Sequence, residues 1–96
     1  MAGRWVLYEI ECVTPRHWYV GISADVDHRL IAHKAGSGAR FTAKYGVKSH
    51  TVLGEFVDAH TAKQAERRRV LELRAQGSVV AGAGWTQTRK VRKERK

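Results

Sequence analysis

Trp5-Val-Leu-Tyr-Glu-Ile-Glu-Cys12 and Trp18-Tyr-Val-Gly-Ile22 decide the reading of this chain. In the first stretch Val6, Tyr8, Ile10 and Cys12 alternate with Trp5, Leu7, Glu9 and Glu11, the period-2 pattern of a strand with two unlike faces. Thr14-Pro-Arg-His17 breaks the alternation with turn residues. It resumes at Trp18. Residues 5–22 therefore predict a β-hairpin whose connection is longer than the tightest two-residue turns.

Outward from the hairpin, Ser23 or Asp25 can cap a helix running to about Ala35, with Asp25 and Asp27 in its first turn. Gly36-Ser-Gly38 ends it. Residues 39–48 form a basic stretch with Phe41 and Tyr45 and room for one short helical turn. Residues 50–57 offer a third strand, and Asp58 or Thr61 caps a second long helix that reaches about Gln76 and stops at Gly77. The expected architecture is α+β, a three-stranded antiparallel sheet flanked by helices in the order ββα-βα. Residues 1–77 make the folded unit, 78–88 a flexible connection and 89–96 a basic tail.

At 96 residues the chain supports one small core, not two. Its single cysteine, Cys12, cannot close an internal disulfide and fits a reducing compartment. No apolar run approaches the roughly 18 residues of a membrane span, and the start of the chain does not resemble a secretory signal. A cytoplasmic protein without a membrane partner is expected.

Charge narrows the partner further. The chain carries a net +9, and residues 89–96 hold six Lys/Arg against one acid, which leaves +4 for the rest. Arg89, Lys90, Arg92 and Lys93 read as a basic arm that would release counterions from a phosphate backbone. A merely solubilising tail is the competing reading. The tail lacks the apolar face of a membrane-surface helix, so nucleic acid is the favoured acidic partner.

Three groups of residues carry candidate chemistry. On a helical wheel the second helix places Ala62, Ala65, Arg69 and Leu73 on one face, with Glu66 inside the same stripe. A carboxylate among core-facing positions is costly unless it is paired or bound to a cation. Either an ion pair with Arg69 or a metal ligand would account for it. On the first helix Arg29 and His33, four residues apart, lie along the edge of the face defined by Val26 and Leu30. They could pack at the surface, or grip a phosphate and assist proton transfer. Tyr8 and Tyr19 taken alone would serve as core with a hydrogen-bonding tip. His17, His28, His50 and His60 show no metal-ligand spacing, one cysteine excludes zinc-finger spacing, and no GKS/T follows Gly36-Ser-Gly38.

In order, these residues resemble the GIY-YIG nuclease domain family over about Val6 to Leu73. Val6-Leu-Tyr8 takes the place of the first motif, retaining only its tyrosine, and Tyr19-Val-Gly21 that of the second. Asp25-Val-Asp-His-Arg29-Leu30 followed by His33 is similar to the family's helix with its arginine and downstream histidine. Gly36-Ser-Gly-Ala-Arg-Phe-Thr42 resembles the basic aromatic stretch of small standalone members. Ala62-Lys-Gln-Ala-Glu66 matches the spacing that places the metal-binding glutamate. Val70 stands where the family has a basic residue, which leaves Glu72 as the alternative glutamate.

The resemblance implies hydrolysis of a DNA phosphodiester with one divalent cation, Mg²⁺ or Mn²⁺, held by Glu66. Tyr8 would take the proton of the attacking water, and Tyr19 would position water or phosphate. A free tyrosine titrates near ~10, so this role needs the adjacent metal or cations to favour the phenolate. Arg29 would stabilise the transition state and His33 assist at the phosphate. Lys34, Arg40, Lys44 and Lys48 would line a backbone track. DNA is the expected partner, with a targeting protein or self-association supplying selectivity. The alternative is a non-catalytic DNA- or RNA-binding module on the same scaffold.

Overall fold

The computed structural model describes residues 4–82. The hairpin forms as the alternation predicts: β1 spans Trp5–Glu11 and β2 spans His17–Ser23, paired antiparallel with Tyr8 opposite Gly21 and Ile10 opposite Tyr19. The connection closes through Cys12 N–H donating to the His17 carbonyl at 3.0 Å. Arg16 takes φ 66°, the left-handed value that turns the chain.

Helix α1, Val26–Lys34, begins at Asp25, whose carboxylate accepts from the His28 N–H at 3.2 Å. That choice of cap, Asp25 over Ser23, satisfies one of the four orphan N–H groups of the first turn. A six-residue helix, α2, spans Arg40–Tyr45, and Phe41 and Tyr45 pin it to the hairpin turn. Their rings lie 4.8 Å apart, and Tyr45 lies 4.3 Å from the His17 ring. Strand β3, Ser49–Phe56, runs antiparallel along the other side of β1, with a register shift between Leu7 and Tyr8. Helix α3, Ala59–Ala75, is capped by Asp58, which accepts from the Thr61 N–H at 2.7 Å.

Two expectations are corrected here. Residues 79–82 are not a flexible connection but a strand, β4 (Val79–Gly82), which runs parallel to β2 with Trp18 opposite Val80. The sheet is accordingly four-stranded and mixed, in the order β3-β1-β2-β4, instead of three-stranded and antiparallel. After β1 and β2 pair, β2 still has an open edge. The chain leaving α3 returns to it, burying Val80 and Ala81.

Strand alternation sorts the core onto the two faces of the sheet. Tyr8, Ile10, Cys12 and Tyr19 pack with Leu30 and Ala81 beside α1 and α2. Leu7 and Val20 pack with Val70, Leu73 and Val80 beneath α3. The buried positions of α3 are Ala62, Glu66, Val70 and Leu73. Arg69 is thus not in the buried stripe, and Val70 is. Each buried aliphatic side chain contributes about 1.5–3 kcal/mol, so a core this small leaves little in reserve.

Candidate active site

Cross-strand pairing of Tyr8 with Gly21 brings the two tyrosine motifs together. The Tyr8 and Tyr19 ring centroids are 6.3 Å apart, and both rings flank His33, at 5.8 and 4.8 Å. Gly21 makes this possible. A Cβ there would lie 2.7 Å from the Tyr8 hydroxyl oxygen, closer than any real contact, so a side chain would displace the phenol. The glycine after the second tyrosine is thus the floor beneath the first.

His33 reaches the phenols because α1 crosses the same face of the sheet, with Leu30 and His33 turned inward. Tyr8 Oη lies 3.0 Å from His33 Nε2, and His33 Nδ1 lies 2.8 Å from Thr42 Oγ1 on α2. Tyr8 is fully buried, His33 is 1% exposed and Thr42 equally so. Arg29, one turn before His33 and half-buried, sets its positive charge beside both phenols and the imidazole.

Burial dominates the electrostatics of this pocket. It pushes the Tyr8 phenol up to about 12, reinforced by neighbouring Tyr19 and opposed by Arg29. Tyr19 is raised by the same desolvation, again opposed by Arg29. The His33 imidazole is driven down to about 4, first by burial and then by Arg29. At neutral pH all three rings are therefore uncharged. Arg29 favours the phenolate of both tyrosines, as a nearby cation should, but burial outweighs it.

Glu66 comes from α3, on the opposite face. It is 2% exposed, and its Oε2 is buried where β4 ends. A Cβ on Gly82 would sit 3.2 Å from that oxygen and closer still to the Val20 carbonyl oxygen, so only glycine fits between carboxylate and strand. The charge of Glu66 acts on both Tyr8 and Tyr19, raising each. Arg69, the ion-pair partner considered for Glu66, grips Glu9 instead, Nε to Oε1 at 2.7 Å and Nη2 to Oε2 at 3.4 Å. It also donates to Glu72 at 3.2 Å, which places Glu72 at the exposed end of that network.

The donor set bears on which ion could be held. Among the described residues no group of three or more His, Cys, Asp or Glu gathers, so they offer no cage of the kind zinc takes. Magnesium takes one or two carboxylates and completes its shell from water and phosphate. One buried carboxylate beside two phenols fits that second pattern.

The exposed cations divide. Lys34 ends α1, and Arg40 and Lys44 share one face of α2 four residues apart. Lys44 Nζ rests over the Tyr45 ring at 5.3 Å. Lys48 is partly engaged by Glu11 at 3.6 Å, an exposed pair of small energetic weight. Arg89, Lys90, Arg92 and Lys93 lie outside the described residues.

Tyr8, Tyr19, Arg29 and His33 thus gather from β1, β2 and α1 on one face of the sheet, and the charge of Glu66 from α3 reaches both phenols. Sequence reasoning missed Thr42, Gly82 and the pairing of Glu9 with Arg69. Only the place of Thr42 in the basic aromatic stretch hinted at the first.

A small α+β domain with a four-stranded mixed sheet and helices is consistent with the GIY-YIG fold. The chain belongs to that family, a family typically of nucleases: the model of the GIY-YIG catalytic domain matches residues 4–77. It is 35% identical over 65 residues to a UPF0213 protein of Neisseria meningitidis, covering 68% of this chain and 70% of that one. It is 46% identical over 39 residues to a UPF0213 protein of Cupriavidus pinatubonensis, covering 41% of this chain and 42% of that one. No solved structure matches the chain significantly.

Proposed function

We propose that this protein is a DNA endonuclease that hydrolyses phosphodiester bonds with one divalent cation, Mg²⁺ or Mn²⁺. The observation that carries the proposal is the buried 3.0 Å contact between Tyr8 Oη and His33 Nε2, with Tyr19, Arg29 and Glu66 around it.

A phenol raised to about 12 does not act by being ionised beforehand. It acts as a relay. Tyr8 Oη takes a proton from the attacking water while its own proton passes to His33 Nε2. His33, held neutral by burial, has the lone pair to receive it. Arg29 offers a planar fork of donors to the phosphoryl oxygens as charge develops on them. The half-buried guanidinium disfavours a second positive charge nearby, so after cleavage the imidazolium gives its proton back to Tyr8 Oη, which passes its own to solvent and restores both groups. Tyr19, raised in the same way, remains a hydrogen-bond donor to water or phosphate. Glu66 would hold the cation, whose chemistry is to stabilise the leaving oxygen and the charge on the phosphate. Lys34, Arg40 and Lys44 would follow the backbone on either side, with DNA as the partner and the tail adding affinity.

The test is nicking of supercoiled plasmid by the full chain in Mg²⁺ against EDTA, with Glu66→Ala alongside. Metal-dependent cleavage that Glu66→Ala abolishes, with DNA binding retained, is the expected result. Binding without cleavage under all conditions would overturn it in favour of a non-catalytic nucleic-acid-binding module.

A further inference from the structure

Tyr8, His33 and Thr42 form a continuous buried chain, and the proton relay uses only two of them. A neutral imidazole accepts at one nitrogen and donates at the other. The relay works only if Nε2 is the accepting nitrogen. Nothing in the imidazole itself decides this.

The Thr42 end of the chain does. Thr42 has one hydroxyl hydrogen, and Oγ1 donates to the Ala39 carbonyl at 3.3 Å. A carbonyl can only accept. The 2.8 Å contact with His33 is then one in which Nδ1–H donates and Thr42 Oγ1 accepts. At the far end Arg29, which can only donate, stands beside the Tyr8 oxygen. With one lone pair of that oxygen taken by Arg29, a phenolic proton directed at Nε2 lets the hydroxyl donate as well as accept. The Thr42 end sets the tautomer, and the Tyr8 end accommodates it.

We propose that Thr42 is a positioning residue that holds His33 with its proton on Nδ1, so that Nε2 stays open to the Tyr8 proton; its catalytic consequence rests on the nuclease reading. Thr42 touches neither water nor phosphate in this scheme. Its buried hydroxyl lies between exposed Arg40 and Lys44 on a helix of six residues. Thr42→Val keeps the shape and removes the acceptor. The Nδ1–H would then be buried against a methyl group, and the ring gains by moving its proton to Nε2, where the Tyr8 oxygen accepts it. In that form the phenol has no base.

The experiment uses the full chain labelled with ¹⁵N-histidine, read by long-range ¹H–¹⁵N correlation at pH 7. His33 is identified by its loss in His33→Gln. Wild type and Thr42→Ser are expected to show protonated Nδ1 and bare Nε2, and Thr42→Val the reverse. Nicking turnover in Thr42→Val should fall about 10²-fold with KM unchanged, and Thr42→Ser should recover it. A wild-type spectrum with protonated Nε2 overturns the proposal, whether or not Thr42→Val folds. Thr42→Val that nicks like wild type overturns it while leaving the nuclease reading intact. A wild type that never nicks overturns the nuclease reading, and the spectra still decide the tautomer.

Discussion

The two faces of the sheet solve opposite problems. Beneath α3 the face is Leu7, Val20, Val70, Leu73 and Val80, joined aliphatic to aliphatic, with Glu66 as the one buried carboxylate of that helix. Beneath α1 and α2 the face contains Tyr8, Tyr19, His33 and Thr42, polar groups as deeply buried as the aliphatics. On the first face burial itself stabilises. On the second, burial costs free energy unless every donor meets an acceptor, and the Tyr8–His33–Thr42 chain is how that cost is met. One face holds the fold and lends only Glu66 to the proposed chemistry, and the other carries the rest, so aliphatic and polar substitutions should fail in different assays.

Tyr8→Phe gives the largest expected effect. Turnover should fall about 10³-fold, since both the proton acceptor and its link to His33 are removed. Thermal unfolding should shift by only a few degrees. Undiminished turnover would remove Tyr8 from the relay and weaken the contrast between the faces.

Leu73→Ala tests the other side. Loss of about 2–5 kcal/mol in urea unfolding is expected, with turnover per folded molecule unchanged. A variant equally stable but catalytically impaired would mean that α3 serves the site beyond Glu66.

The pH dependence of stability separates the faces without touching activity. His33 is held near 4 in the folded chain, below its ordinary value near 6.5. Between those two values the unfolded chain binds the extra proton. Stability is therefore full above about pH 6.5 and falls as the pH drops towards 4, by up to roughly 3 kcal/mol. Denaturant titrations of His33→Gln should show a flatter profile over that window. An identical slope in wild type and variant would mean that His33 is not the group responsible.

Truncation after Thr88 should have the smallest effect on either face. Binding to DNA of any sequence should weaken alike, and the slope of log K against log salt should become shallower by about one for each phosphate the tail had neutralised. A sequence-dependent weakening measured by fluorescence anisotropy would give residues 89–96 a role in recognition instead.

The hairpin and the helices α1 and α3 were legible in the residues, with Asp25 and Asp58 each one of two cap candidates, because alternation and capping are local. Tyr19-Val-Gly21 was legible as a motif, and the pairing of Tyr8 with Gly21 explains why a glycine stands there. Glu66 was legible as an anomaly, a carboxylate in a buried stripe. Strand β4 was not. Four residues carry too little periodicity, and its partner β2 lies some 60 residues earlier, joined to it through parallel pairing that leaves no turn signature. Arg69 shows the same limit: spacing offered it to Glu66, but Glu9, from another strand, takes it. Thr42 was just another residue of a basic stretch until α2 folded over α1. By itself the sequence determined which residues could do chemistry and which segments would be strand or helix. The tertiary structure alone decided which of them meet, because burial, tautomer and charge balance are properties of neighbours far apart along the chain.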